Sequence, residues 1–200
     1  MREAIKIKLL QNILEEVTKK YDYFILKQNQ MIKYTYEMAT KDKLTGLYNR
    51  QFLEEYVQQA IDRMQRHQNV LILIFVDIDN FKYVNDTFGH DEGDIVLKEI
   101  SKIFQDIFRK YDVVVRYGGD EFLILLEEKI YDEVSVKALL EQMVQRVEES
   151  LSKFKISASY GCATAPKEAK DLKGLIAIAD ERMYSHKRSK KMALKGSNNG

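Results

Sequence analysis

One run of residues constrains this chain more than any other. Val70-Leu71-Ile72-Leu73-Ile74-Phe75-Val76 leads without a polar interruption into Asp77-Ile78-Asp79. A half-buried strand alternates apolar and polar residues; this run does not, so 70–78 reads as a strand buried on both faces. Such a strand belongs in a layered α/β domain whose sheet has flanking helices. The flanks supply them. Asn49 to Arg66 reads as a helix with Phe52, Tyr56, Ala60 and Met64 on one face, and Asp91 to Lys110 as another with Val96, Ile100, Ile103 and Ile107 inward. Tyr131 to Ser152 is a charged amphipathic helix, Phe154 to Ala163 a further strand, and Leu172 to Ser189 a final helix.

Residues 113–126 carry a second signal. Val113-Val114-Val115 and Phe122-Leu123-Ile124-Leu125-Leu126 flank Arg116-Tyr117-Gly118-Gly119-Asp120-Glu121. Apolar run, glycine pair, apolar run is the pattern of a β-hairpin. An antiparallel hairpin makes the sheet mixed, so the expected fold is an α/β sandwich with a mixed central sheet. The tip holds two adjacent carboxylates beside two residues without side chains. Such a turn can hold a divalent cation and let a bulky anion approach the backbone.

Residues 1–40 contain neither glycine nor proline and read as one long helix. With Ile7 at heptad position a, the d row is Leu10, Val17, Phe24, Met31 and Met38, while the a row runs Ile7, Leu14, Tyr21 and then turns polar at Gln28 and Thr35. This spacing predicts a dimerising coiled-coil seam with another copy of the chain. The alternative is a helix laid on its own globular domain. Length argues against it: about 32 residues of seam extend about 48 Å, against a radius of gyration of about 15 Å for the remainder. The domain proper is expected over 41–191, and the Gly/Ser/Asn-rich 192–200 as a disordered tail.

A formal charge of +1 gives no global pull toward nucleic acid or membrane, and no apolar run reaches the length of a membrane span. The lone Cys162 excludes a disulfide framework within one chain, so a reducing, cytoplasmic setting is expected.

The chemistry concentrates in carboxylates. Asp77 and Asp79 close the most apolar strand, where charge is costly unless paired or bound to metal. With Asp120 and Glu121 they offer two or three hard oxygen ligands, a set suited to Mg²⁺ or Mn²⁺ and not to zinc. Mg²⁺ commonly takes one or two protein carboxylates together with substrate phosphates, which points to a nucleoside triphosphate. The alternative is two unrelated acidic turns. No glycine-rich phosphate loop is present, so phosphate binding falls to metal, backbone amides and lysines such as Lys82 and those of His186-Lys187-Arg188-Ser189-Lys190-Lys191.

From Asp42 to Lys191 the chain resembles the GGDEF-domain diguanylate cyclases. The resemblance rests on Asp42-Lys43-Leu44-Thr45-Gly46-Leu47-Tyr48-Asn49-Arg50, on the segments Asp77 to Asp86 and Phe88 to Asp94, and on the unaltered signature Gly118 to Phe122. It implies a palm-like fold related to class III nucleotidyl cyclases. It also implies that two GTP are condensed into cyclic di-GMP, with release of two pyrophosphates, across a homodimer of half-sites. By position, Asp77, the Ile78 carbonyl, Asp120 and Glu121 would hold Mg²⁺ or Mn²⁺, two ions per site. Asp120, Glu121 and Lys82 would be catalytic. Asn85 and Asp94 would read the guanine edge, His90 would lie against the nucleotide, and Lys187 and Lys191 would bind phosphate. A carboxylate can accept from guanine N1–H and N2–H₂ together, and adenine offers no such pair.

The chain departs from the family at the end of its last helix. Lys190-Lys191 stand where Gly-Arg is usual, which keeps charge but loses the bidentate fork. Arg182 also stands where alanine is more frequent. Arg109 and Asp112 fit the family's RxxD motif, which implies an inhibitory site for the product cyclic di-GMP. The main alternative to the enzyme is a catalytically weak GTP or cyclic di-GMP binding module.

Overall fold

The computed structural model describes residues 1–197. They divide into two units, 1–40 and the remainder from Lys41.

The first unit is a single helix, α1 (Arg2–Thr40), as the absence of helix breakers predicts. Its seam residues Leu10, Val17, Phe24 and Met31 are all exposed. No helix among the described residues is long and apolar enough to cross a membrane.

In the second unit the chain runs β1 (Tyr48–Asn49), α2 (Arg50–His67), β2 (Val70–Asp79), α3 (Phe81–Phe88), α4 (His90–Ile107), β3 (Val113–Gly118), β4 (Glu121–Glu128), α5 (Glu133–Ser150), a 3₁₀ turn (Ser152–Phe154), β5 (Ser157–Ala165) and α6 (Leu172–Ser197). The five strands form one mixed sheet in the order β1-β3-β4-β2-β5. The pair β1–β3 is parallel and the others are antiparallel. The most apolar strand is thus interior, between β4 and β5.

Alternation in the strands divides the core between two faces. Ile72, Ile74, Val76, Phe122, Ile124 and Leu126 point to the layer of α3, α4 and α5. Leu71, Leu73, Phe75, Leu123 and Leu125 point to α2 and α6. Each such side chain, fully buried, contributes about 1.5–3 kcal/mol, so β2 cannot slip its register by one residue without reversing both faces. On the second face α6 lies very close to β5. A Cβ on Gly161 would stand 2.1 Å from the Ala179 carbonyl oxygen and 2.3 Å from the Met183 nitrogen, so only glycine admits this contact.

Several boundaries differ from the sequence reading. Two elements were not foreseen, β1 and α3; they are two and eight residues long, too short for a periodic signal. The second core helix stops at Ile107 rather than Lys110 because Phe108 is extended (ψ 147°) and buried. The last strand begins at Ser157, after the 3₁₀ turn that contains Phe154. The final helix continues past Ser189 to Ser197, since Arg188 to Lys195 contains neither glycine nor proline. The expected irregular tail from 192 is therefore helical as far as Ser197, and 198–200 lie outside the described residues.

Candidate active site

The hairpin tip is held from three sides. Gly119 takes φ +52°, the left-handed region that a two-residue hairpin turn demands at its first position. Arg116 donates to the Gly119 carbonyl through Nε (3.0 Å) and Nη2 (2.9 Å), and through Nη1 to Asp42 Oδ1 (3.2 Å). Asp42 also accepts from the Thr45 amide and hydroxyl. Burial raises the Asp42 carboxyl, but the Thr45 hydrogen bonds and the Arg116 charge outweigh it and leave the group below its ordinary value. Phe122 is fully buried and meets Phe104 edge to face at 5.2 Å. Finally, the Ile78 amide donates to the Asp120 carbonyl at 3.1 Å, which ties the tip to the end of β2.

That bond joins the two acidic sites. Asp77 stands opposite Glu121 in the β2–β4 register and opposite Ser159 in the β2–β5 register. Lys187 of α6 donates to Asp77 Oδ1 and lies 3.8 Å from Asp79 Oδ1. Asp79 Oδ2 accepts from Ser159 Oγ (2.8 Å) and from Lys190 Nζ (3.0 Å). Burial, then the Asp77 charge, holds the Asp120 carboxyl above its usual range. Burial, then Asp120, Asp77 and Asp180, does the same for Glu121. Burial works against the Lys187 ammonium, yet its bond to Asp77 and the surrounding carboxylates hold its pKa up. Asp120 and Glu121 thus stand among carboxylates without an ion pair of their own among the described residues.

A cavity of about 470 Å³ opens beside these groups. Asp120, Lys82, Lys187, Lys190 and Lys191 line it, together with Asp86. Lys82 is placed by a sharp turn: Asn80 adopts a left-handed conformation (φ 65°), donates to the Lys155 carbonyl at 3.0 Å, and starts α3 directly after β2.

Among the described residues no group of three or more His, Cys, Asp or Glu is gathered so as to hold a metal ion by itself. Mg²⁺ does not require such a group, because it takes one or two carboxylates and completes its shell with phosphates and water. The mutually repelling Asp77, Asp120 and Glu121, all oxygen donors, fit that chemistry. Asp77, Ile78, Asp120 and Glu121 would hold the ion.

The other expected site residues are placed as follows. Asn85 lies on α3 with its Oδ1 against Gly93 of α4, where a Cβ would come within 2.0 Å of it. His90 and Asp94, in the first turn and a half of α4, are exposed. None of these three lines the cavity that holds the lysines. Arg109 and Asp112 are at the opposite end of the sheet. Arg109 Nη1 pairs with Glu128 Oε1 at 2.8 Å, and Asp112 Oδ2 accepts from the Arg109 amide at 2.7 Å. Burial raises the Asp112 carboxyl, and its Oδ1 is buried without a hydrogen-bond partner. Sequence reasoning missed Lys190 and Asp79 as partners. The i, i+3 spacing of Lys187 and Lys190 on one helix face was the only available signal.

The GGDEF domain profile described as diguanylate cyclase matches residues 39–193. The chain belongs to the GGDEF-domain diguanylate cyclase family. It is 37% identical over 153 residues to the diguanylate cyclase DgcS of Shewanella oneidensis, covering 76% of this chain and 50% of that protein. It is 39% identical over 153 residues to DosC of Escherichia coli K12, covering 74% and 33%. Among solved structures, the coiled coil and GGDEF domain of DgcB from Caulobacter crescentus, in complex with c-di-GMP, aligns with a TM-score of 0.75 at 25% identity. The alignment covers 88% of this chain and 95% of that one. The chain spans half or less of the length of these curated relatives. GGDEF diguanylate cyclases generally use a divalent metal, which agrees with the donor set at the hairpin tip of this GGDEF domain.

Proposed function

We propose that this GGDEF domain is a diguanylate cyclase half-site that binds one GTP, and that two copies facing each other condense two GTP into cyclic di-GMP. The observation that carries this reading is the convergence of Asp77, Asp120 and Glu121 with Lys187 at one end of the sheet, beside a lysine-lined cavity. Carboxylates without an ion pair suit a divalent cation, and lysines beside them suit a triphosphate.

In each bond-forming step the 3′-hydroxyl of one GTP attacks the α-phosphate of the other. One P–O bond forms, the bond to pyrophosphate breaks, and the hydroxyl proton leaves to Asp120 or to water. Bound Mg²⁺ supplies positive charge at the attacked phosphate. Lys82 and Lys187 offset phosphate charge, and Lys191 extends the same basic edge toward solvent. Asn85 and Asp94 hold the guanine edge, with His90 against the nucleotide. The Asp120 carboxyl, raised by burial and by Asp77, sits closer to neutrality than an exposed aspartate, a useful property in a proton acceptor.

One half-site holds one nucleotide, so turnover requires a second domain. The exposed seam of α1 fits a parallel coiled coil that raises the effective concentration of the two half-sites. Arg109 and Asp112 form a site for inhibition by cyclic di-GMP, beside a cavity of about 350 Å³.

Incubation with GTP and Mg²⁺, with products identified by mass, tests the reading. A cyclic guanine dinucleotide is expected, and Asp120→Ala should be inert. Tight GTP binding without turnover would replace the enzyme by a nucleotide-binding module.

A further inference from the structure

The four lysines of the cavity are not equivalent. Lys82 and Lys191 have no hydrogen bond or ion pair among the described residues, and Lys187 has one close bond, to Asp77. Lys190 differs. Its ammonium donates to Asp79 Oδ2 (3.0 Å), to Ser157 Oγ, and to the Ala158 carbonyl (3.1 Å). An ammonium has three N–H donors, so all of them are engaged within the protein. The side chain is 27% exposed, and that of Asp79 only 13%.

We propose that Lys190 is a positioning residue, not a phosphate ligand: it clamps α6 to the ends of β2 and β5 and neutralises Asp79. This rests on the cyclase reading for its effect on substrate, though not for its effect on the fold. Two observations carry it. First, the acceptors come from two strands, Asp79 from β2 and Ser157 and Ala158 from β5, so one cation joins three elements. Second, Asp79 is nearly buried with Oδ1 lacking a hydrogen-bond partner, a charge that is costly without a cation in contact. Here the clamp fixes the helix one turn beyond Lys187 and directly before Lys191. Those two lysines and Lys82 are left to meet the triphosphate. The Lys190-Lys191 departure therefore divides its work: the first lysine orders the helix, and the second retains the charge.

The test is a double-mutant cycle on Lys190→Met and Asp79→Asn, read by melting temperature and by steady-state kinetics with GTP. Methionine keeps the apolar stem and removes the ammonium. Lys190→Met should lower the melting temperature by about 5 °C, the shift expected of one or two lost contacts in a chain of this size. Adding Asp79→Asn should recover most of that loss, because no uncompensated charge remains. The KM for GTP should rise about tenfold in Lys190→Met, more than kcat falls, as expected when substrate lysines lose their placement. Lys190→Arg should restore part of both. A rise in KM with an unchanged melting temperature and no coupling to Asp79 overturns the proposal and makes Lys190 a direct phosphate ligand. If the wild-type protein neither binds nor converts GTP, the cyclase reading fails, and the coupling measured by melting alone still decides the clamp.

Discussion

The two ends of the β2–β4 pair are built from similar residues and behave differently. At one end Asp77, Asp79, Asp120 and Glu121 gather within the reach of Lys187 and Lys190. At the other, about 23 Å away along β4 at 3.3 Å per residue, Glu127 and Glu128 meet Arg63, Asn69 and Arg109. At the far end Glu127 and Glu128 are each paired, with Arg63 and Arg109. At the tip Asp120 and Glu121 have no ion pair among the described residues, and burial raises both, as it raises Asp112 at the far end. Balanced pairs at a rim contribute little and ask for nothing more. Carboxylates without an ion pair, held in place by a buried strand and a braced turn, suit a counter-ion. That contrast supports the proposed GTP site at the tip end.

The contrast can be broken most severely at the tip. Asp120→Ala should lower GTP turnover at least about 10³-fold, the scale of losing a preorganised charge at a reacting phosphate; product mass reports it. The same position gives a readout without substrate. Asp120→Asn should raise the melting temperature by a few degrees in the absence of metal and abolish the stabilisation that Mg²⁺ gives the wild type. A variant that melts lower without metal would count against the repulsion between Asp120 and Asp77.

The frame that carries the tip can be tested next. Gly161→Val places atoms inside the α6 backbone. Overpacking of this kind costs about 1–3 kcal/mol or more, and about 2–4 °C of melting temperature accompanies each kcal/mol. Activity should fall with it, because Lys187 and Lys190 are on the displaced helix.

At the far end, Arg109→Ala should weaken inhibition by cyclic di-GMP by about tenfold, an effect of about 1.4 kcal/mol. Inhibition curves for mutant and wild type that coincide would remove Arg109 and Asp112 from a product site.

The smallest effect belongs to a balanced pair near the same end of the sheet. Glu168 is held at about 2 by its hydrogen bond with Arg182 and those from Thr164, with burial opposing. A depressed carboxyl stabilises the fold above its ordinary value and loses that contribution as pH falls from about 4.5 toward about 2. Glu168→Gln should therefore flatten the acid limb of the stability curve in that window, by about 1 kcal/mol or less after solvent screening. Urea midpoints measured across the window report it.

The hairpin and the central strand were legible because their signals are local. The glycine pair between apolar runs states a turn, and unbroken hydrophobicity over Val70 to Val76 states burial on both faces. The candidate ligands Asp77, Asp120 and Glu121 were visible as charges that such elements would have to explain. By contrast, α3 hid in eight residues, and the end of α4 depended on where Phe108 found its pocket. The extension of α6 to Ser197 was obscured by a polar composition that suits either a helix or a tail.

By itself the sequence determined that a buried strand would end in acid, that a hairpin would present two carboxylates, and that an apolar seam would follow from residues 1–40. Interactions between residues a few positions apart are enough for each. Only the tertiary structure decided that the strand order β1-β3-β4-β2-β5 sets Asp77 beside Glu121, that Arg116 ties the tip back to Asp42, and that Lys187 and Lys190 arrive from more than a hundred residues away. Those contacts close long loops. Nothing local specifies them, and they are fixed only when two core faces pack at once and leave the charged ends of the strands a single arrangement in which to find their partners.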